Sequence, residues 1–204
     1  MIFREAVQGR AFGMMPPSCS KGLGDCPAEE RMQEFLIIVD MQKDFIDGAL
    51  GTEEAKAVVA KVREKAECFQ GKVIYTRDTH QPDYLQTQEG KNLPVPHCIR
   101  ETAGWQIDAG LPVADAFAVI DKPSFGSVEL GEMLREEDRR DQITRVTLAG
   151  LCTDICVISN ALLLKAFLPE TEIVVDAACC AGVTPESHEM ALQAMKSCQI
   201  QIEG

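Results

Sequence analysis

Nothing in this 204-residue chain approaches the roughly 18 consecutive apolar residues that a membrane-crossing helix needs, so a helical membrane protein is not expected. A basic patch is missing too. Net charge is −12 and the pI about 4.7, so a nucleic-acid backbone or an anionic membrane surface would be repelled; the single basic cluster, "REEDRRD", is mixed in sign. No Gly-x-Gly-x-x-Gly follows the first apolar run, which removes a dinucleotide fingerprint. No internal repeat points to a solenoid. The nine cysteines form an odd, irregularly spaced set without one CxxC, so neither a disulfide framework nor a zinc or iron–sulfur cluster is indicated. The N-terminus has no basic-then-apolar secretory pattern, and free thiols in a reducing cytoplasm are expected.

What is present suits one soluble globular domain, with 46% hydrophobic and 25% charged residues, large enough to bury a core without staples. Residues 1–33 mix Gly, Pro, Ser and charge with no sustained period and read as a loosely ordered extension; a translation start at Met32 would account for the contrast with the rest of the chain. From residue 34 onward the pattern alternates. The continuous apolar run "FLIIVD" (Phe35 to Asp40) reads as a strand buried on both faces. A helix follows over Glu53 to Phe69, with Ala55, Val58, Val59, Val62 and Ala66 on one face. Next come strand Lys72 to Asp78, a long polar loop to about Asp108, strand Ala116 to Lys122, a helix from Val128 to Arg139, and strand Arg145 to Gly150. The apolar helix in "AGLCTDICVISNALLLKAF" carries Cys152 and Cys156 in about its first turn. Strand Glu172 to Asp176, helix Pro185 to Ser197 and a short "QIQI" strand complete the chain. Alternating strands and helices predict an α/β fold, a three-layer α/β/α sandwich with a mostly parallel, doubly wound sheet.

In such sheets ligands bind beyond the carboxyl ends of the strands. Asp40 ends the first strand, Asp78 the second with His80 just beyond, Lys122 the third, and Gly150 the fourth, followed by Cys152 and Cys156. Each alone has a bland reading as a cap, a turn former or a packed side chain. Together they supply a base, a cation and a thiol at a helix start, the components of nucleophilic catalysis. Two of the three histidines lie in "DTHQPDYLQTQEGKNLPVPH", where Asp78, His80, Glu89 and His97 offer oxygen and nitrogen ligands suited to zinc, iron or manganese.

The segments "IIVDMQKDF", "YTRDTHQPDY", "TQEGKNLPVPHC", "DKPSFGS", "AGLCTDICV" and "DAACCAGVTPESHEMAL" resemble, in order, the isochorismatase-like cysteine hydrolases and within them the nicotinamidases. The resemblance implies the isochorismatase-like hydrolase fold over 34–204, Asp40 as the catalytic carboxylate, Lys122 as its cationic partner, and Cys156 rather than Cys152 as nucleophile. It also implies a cis peptide between Leu151 and Cys152 and an oxyanion hole made by the backbone N–H groups of Cys152 and Cys156. A divalent metal, zinc foremost, would be held by Asp78, His80, Glu89 and His97. Phe45 would line the substrate pocket, and the assembly would be a homo-oligomer acting on a small-molecule amide.

The sequence departs from the nicotinamidase pattern in two places. An aromatic residue commonly precedes the last metal-binding His and forms one wall of the ring pocket; here the stretch is "LPVPH", leaving Tyr84 or Trp105 to supply that wall. Arg100 and Glu101 stand where relatives tend to carry a Gly-Thr turn. His188 reads as an exposed or capping residue of the last helix. The implied reaction is hydrolysis of nicotinamide through a cysteine thioester. The alternatives are a cysteine amidase acting on an N-carbamoyl or ureido compound, and an idle binding module of the same fold. A true isochorismatase is disfavoured because those relatives do not use the cysteine.

Overall fold

The computed structural model describes residues 33–204. The expected N-terminal extension and the Met32 start lie outside the described residues, except that Gln33 already begins the first strand.

Six strands form one sheet: β1 (Gln33–Val39), β2 (Lys72–Asp78), β3 (Ala118–Lys122), β4 (Ile143–Leu151), β5 (Glu172–Ala181) and β6 (Gln201–Glu203). Their order is β3-β2-β1-β4-β5-β6, and every pairing is parallel. Around them lie α1 (Lys43–Ile46), α2 (Glu53–Cys68), α3 (Gln88–Asn92), α4 (Val128–Arg140), α5 (Ile158–Phe167) and α6 (Pro185–Ser197). None of the described helices is long and apolar enough to cross a membrane.

The apolar run in β1 has no polar alternation because both faces of the strand are covered. Phe35, Ile37 and Val39 enter the core shared with α4, α5 and α6, while Leu36 and Ile38 enter the one beneath α2; all five are fully buried. Helix α2 presents Ala55, Val58, Val62 and Ala66 to that second core, and its N-cap Thr52 accepts from the N–H of Ala55. Ser127 caps α4 by accepting from Leu130, and Thr184 with Ser187 forms a capping box on α6.

Three stretches differ from what the sequence pattern predicts. Strand β5 runs on past Asp176 to Ala181. The extension "AACCA" is built of small residues with weak strand preference, and it forms because a register shift after Leu148 lets Cys180 and Ala181 pair with Gly150 and Leu151. The long polar loop contains a 3₁₀ turn at Tyr84–Gln86 and the short α3, whose sequence QEGKN carries no apolar period. Finally, Cys156 lies in a π-helical turn, Thr153–Val157, that precedes α5, and Cys152 is the cap residue before that turn. Such widened turns are frequent at functional sites.

The strand order reverses between β1 and β4, so the crevice at their carboxyl ends is the topological switch point of the sheet. Val39 and Gly150 are partners there. Gly150 has φ +120°, and a Cβ at this position would lie 2.1 Å from the carbonyl oxygen of Val39. Gly150→Ala therefore meets both a conformational and a steric penalty and is expected to cost about 3 kcal/mol, checked by urea unfolding; an unchanged midpoint would contradict the close approach.

Candidate active site

The carboxyl ends of four strands and turns converge on one buried ammonium. Lys122, at the end of β3, is fully buried, with Nζ 2.6 Å from Asp40 Oδ2, 3.3 Å from Asp78 Oδ1 and 3.4 Å from Cys156 Sγ. Nζ also donates to the carbonyl of Ser124. Burial alone would strip the proton from Lys122, but Asp40, the Cys156 sulfur and Asp78 hold its pKa above the ordinary lysine value. Asp40 follows β1 with φ +47°, a left-handed conformation that Asp tolerates better than most residues. Its Oδ1 accepts from the hydroxyl of Thr76 at 2.6 Å. The close contact of Oδ2 with Lys122 lacks hydrogen-bond alignment, so this oxygen keeps its capacity to accept a proton. Burial raises the Asp40 pKa above the usual carboxylate range despite Lys122. Burial, and after it the charge of Asp40, keeps Cys156 a thiol well above the ordinary cysteine value.

Asp78, His80, Glu89 and His97 form a second cluster, their ligand atoms all within 4.8 Å of one another. Nε2 of His80 lies 2.9 Å from Asp78 Oδ2 and 3.5 Å from Glu89 Oε1; Nε2 of His97 lies 3.6 Å and 3.8 Å from the same two oxygens. Although close to a carboxylate, the buried His80 Nε2 has no aligned hydrogen-bond partner. Nδ1 of His97 contacts the Val95 carbonyl at 2.8 Å, and since a carbonyl only accepts, that nitrogen carries the proton and Nε2 presents its lone pair to the cluster. An orphaned buried nitrogen, a fixed tautomer and two carboxylate oxygens make a donor set that fits a divalent cation such as zinc, iron or manganese. Burial would raise the pKa of Asp78, but the adjacent imidazoles of His80 and His97 and the charge of Lys122 hold it below the carboxylate range.

Both clusters open into one cavity of about 600 Å³, lined by Asp78, His97 and Cys156 at its chemical end and by Phe45, Phe125 and Ile155 along its walls. The peptide bond between Leu151 and Cys152 is cis. Cys152 also borders the cavity, its thiol pushed up to about 12 by burial and the charge of Asp154.

Residues 34–203 match the Isochorismatase domain family model. The chain belongs to the isochorismatase family. It is 27% identical over 183 residues to the nicotinamidase/pyrazinamidase of Mycobacterium tuberculosis, a match that covers 82% of this chain and 96% of that protein. The pyrazinamidase of Pyrococcus horikoshii, solved in complex with zinc, superposes with a TM-score of 0.70 at 32% identity, covering 83% of this chain and 98% of the other. The N-carbamoylsarcosine amidase of Thermoplasma acidophilum gives 0.67 at 25%, covering 84% and 96%. In company with these relatives, this isochorismatase-family chain is a hydrolase of amide carbon–nitrogen bonds, nicotinamidase-like in kind.

Within this family site, several sequence expectations change. Neither Tyr84 nor Trp105 forms the second aromatic wall of the cavity. Tyr84 packs behind the histidines, its ring 4.6 Å from that of His80, and Trp105 is buried with Nε1 donating to Thr79 and with Arg77 stacked on its ring. The second aromatic side chain of the lining is Phe125, from the loop after Lys122. His188 is not a free helix residue: its Nδ1 lies 2.8 Å from the hydroxyl of Thr153, in the nucleophile turn. Asp154 accepts from the N–H of Val183, so α6 and the connection that precedes it each fasten that turn by one contact. Arg100 pairs with Asp121 at 3.2 Å, and Glu101 adopts φ +66° in the turn.

Four supporting residues escaped the sequence reading because their roles are long-range. Thr76 anchors Asp40, and Gln42 bridges strand ends by donating to the carbonyls of Asp78 and Trp105 while accepting from the N–H of Asp78. Asp44 accepts from the N–H of Cys98, next to His97. Gln42 and Asp44 both sit in the segment "IIVDMQKDF", which was the available signal. Asn160, fully buried in α5, donates to the carbonyls of Cys156 and Phe125 and accepts from the N–H of Ser127, tying the loop after Lys122 to the nucleophile turn. No local pattern marks it.

Two outcomes are expected. Asn160→Ala leaves two buried backbone groups and one partly buried one without this partner and lowers stability by about 3 kcal/mol, measured by urea unfolding; a loss under ~0.5 kcal/mol would mean those groups find other partners. In Asp40→Asn the carboxylate charge that opposes the thiolate is gone while Lys122 remains beside Sγ, so the Cys156 pKa falls. The pH at which iodoacetamide alkylation of Cys156 reaches half its plateau rate then moves down; an upward move would show that Asp40 does not set it.

Proposed function

We propose that this chain hydrolyses nicotinamide to nicotinate and ammonia through a thioester on Cys156. The observation that carries the reading is the position of Lys122 Nζ, which touches Asp40, Asp78 and the Cys156 sulfur at once and so joins a base, a nucleophile and a ligand cluster at the end of one cavity. Asp40 Oδ2 takes the thiol proton as sulfur attacks the amide carbonyl. Its raised pKa brings it nearer the working pH, where a base that must also act as an acid is most effective. The thiolate forms only as its charge is passed to the substrate, and the ammonium of Lys122 stabilises the anions at each stage.

The backbone N–H groups of Cys152 and Cys156 receive the oxyanion, a contribution of about 3 kcal/mol per donor in comparable sites. Asp40 returns its proton to the departing ammonia, then activates the water that cleaves the thioester. Phe45 and Phe125 provide the faces against which an aromatic ring packs. Asp78, His80, Glu89 and His97 would hold the divalent cation, zinc by preference, which when bound supplies a Lewis-acid contact for a ring nitrogen. The free thiols favour a reducing cytoplasm as the setting.

A second reading, an amidase for N-carbamoyl amino acids, is supported by the similarity to the Thermoplasma amidase. The cavity argues against it. Such substrates carry a carboxylate, and no Arg or Lys is among the residues lining the cavity; Lys122 beneath it is already shared by two carboxylates.

The test is ammonia release from nicotinamide by zinc-loaded protein. Cys156→Ala is expected to abolish it, by more than ~10³-fold, and chelation to remove it until zinc is restored. No release from nicotinamide, with release from N-carbamoylglycine instead, would overturn the first reading in favour of the second.

A further inference from the structure

One buried side-chain amide joins a wall of the cavity to its thiol. Phe125 is 44% exposed, so packing alone does not fix its ring, and residues 123–126 belong to neither helix nor strand. What holds this loop is its backbone. Lys122 Nζ donates to the Ser124 carbonyl at 3.1 Å, while from α5 the Asn160 Nδ2 donates to the Phe125 carbonyl at 3.0 Å and Oδ1 accepts from the Ser127 N–H at 2.9 Å. The same Nδ2 also donates to the carbonyl of Cys156, four residues earlier, at 2.8 Å. Only one orientation of the amide satisfies this set, because a flipped amide would set its oxygen against two carbonyls and its NH₂ against an N–H. Asn160 is fully buried, so these bonds are not readily exchanged for solvent. The ring wall and the backbone that carries the sulfur are thereby registered to one rigid group.

We infer that Asn160 is a positioning residue for the hydrolysis, with two separable arms. Its bond to the Cys156 carbonyl orients the nucleophile and acts on kcat; its bonds to Phe125 and Ser127 orient the ring wall and act on KM. The inference rests on the nicotinamidase reading, which makes Cys156 the nucleophile and Phe125 a face for the substrate ring. Asn160 is not among the residues lining the cavity, so it works through the two backbone carbonyls it holds. Attack on a carbonyl is sensitive to the placement of the sulfur, and a shift of about 1 Å costs on the order of 10²-fold in rate. A loosened ring wall instead weakens contacts made alike in the ground and transition states, which appears in KM. Helix α5 itself shows how the arms can be separated. Ser159 Oγ donates to the Ile155 carbonyl four residues back at 2.6 Å. A serine at position 160 can make the same bond to Cys156, but it has a single hydrogen to give and leaves the loop without its partner.

The experiment measures kcat and KM for nicotinamide in the zinc-loaded wild type, Asn160→Ala, Asn160→Ser, Phe125→Ala and the double variant Asn160→Ser/Phe125→Ala, with each rate normalised to the folded fraction from urea unfolding. Asn160→Ser is expected to keep kcat within about threefold of the wild type and to raise KM about fivefold, roughly the worth of one net hydrogen bond. Phe125→Ala should raise KM at least as much, and the serine should add nothing further to KM once the ring is gone. Asn160→Ala is expected to lower kcat as well, on the order of 10²-fold. Wild-type kcat and KM in both Asn160 variants, with Cys156→Ala inactive, would show the amide to be structural only and overturn the inference. KM effects of Asn160→Ser and Phe125→Ala that simply multiply in the double variant would overturn it too. If Asn160→Ala does not fold, Asn160→Ser and the double variant decide by the same criteria. Absence of turnover in the wild type, or turnover that survives Cys156→Ala, overturns the nicotinamidase reading instead.

Discussion

The site depends on keeping one ammonium charged where no water reaches it. A buried lysine without partners would lose its proton, and a buried carboxylate without partners would gain one. Here the two carboxylates keep the charge on Lys122, which lies between Asp40 and Asp78 and opposes the effect of burial on both. The three groups come from three different strands, so the ion cluster exists only when β1, β2 and β3 are aligned in register. The same charge lies beside the Cys156 sulfur and beside a carboxylate of the metal-type cluster. Nucleophile and ligand cluster are thereby coupled through one atom.

The rest of the architecture keeps that arrangement in place. Parallel strands buried on both faces bring their carboxyl ends to one rim, and the reversal of strand order between β1 and β4 opens a crevice there. Gly150 permits the two strands to approach closely at this point. Beyond it the nucleophile turn is held by Thr153 to His188, by Asp154 to Val183, and by Asn160 to the loop that carries Phe125. The Thr153 and Asn160 contacts are hydrogen bonds of buried or half-buried groups, whose loss is costly because nothing replaces them, whereas the Asp154 contact is exposed.

Much of this was legible in the chain because the signals are local. Runs such as "FLIIVD" and the spacing of Ala55, Val58, Val62 and Ala66 mark strand and helix through burial periodicity alone, and the acids, lysine and thiol that end strands could be counted. Less legible was the extension of β5, whose small residues form strand only because β4 offers a shifted edge. Also illegible were α3, too short for a period, and the π turn, which depends on how the chain leaves β4.

Sequence by itself determined the alternation of elements, the chemical inventory and the family, since hydrophobic period and residue type are properties of neighbouring positions. Tertiary structure decided which groups meet. That Lys122 is shared by Asp40, Asp78 and Cys156, that Phe125 rather than Tyr84 or Trp105 completes the aromatic lining, and that His188 fastens the nucleophile turn are consequences of strand order and loop packing. Contacts between residues tens of positions apart arise from the closing of the sheet and its layers, and no local pattern records the distance that closure leaves between two side chains.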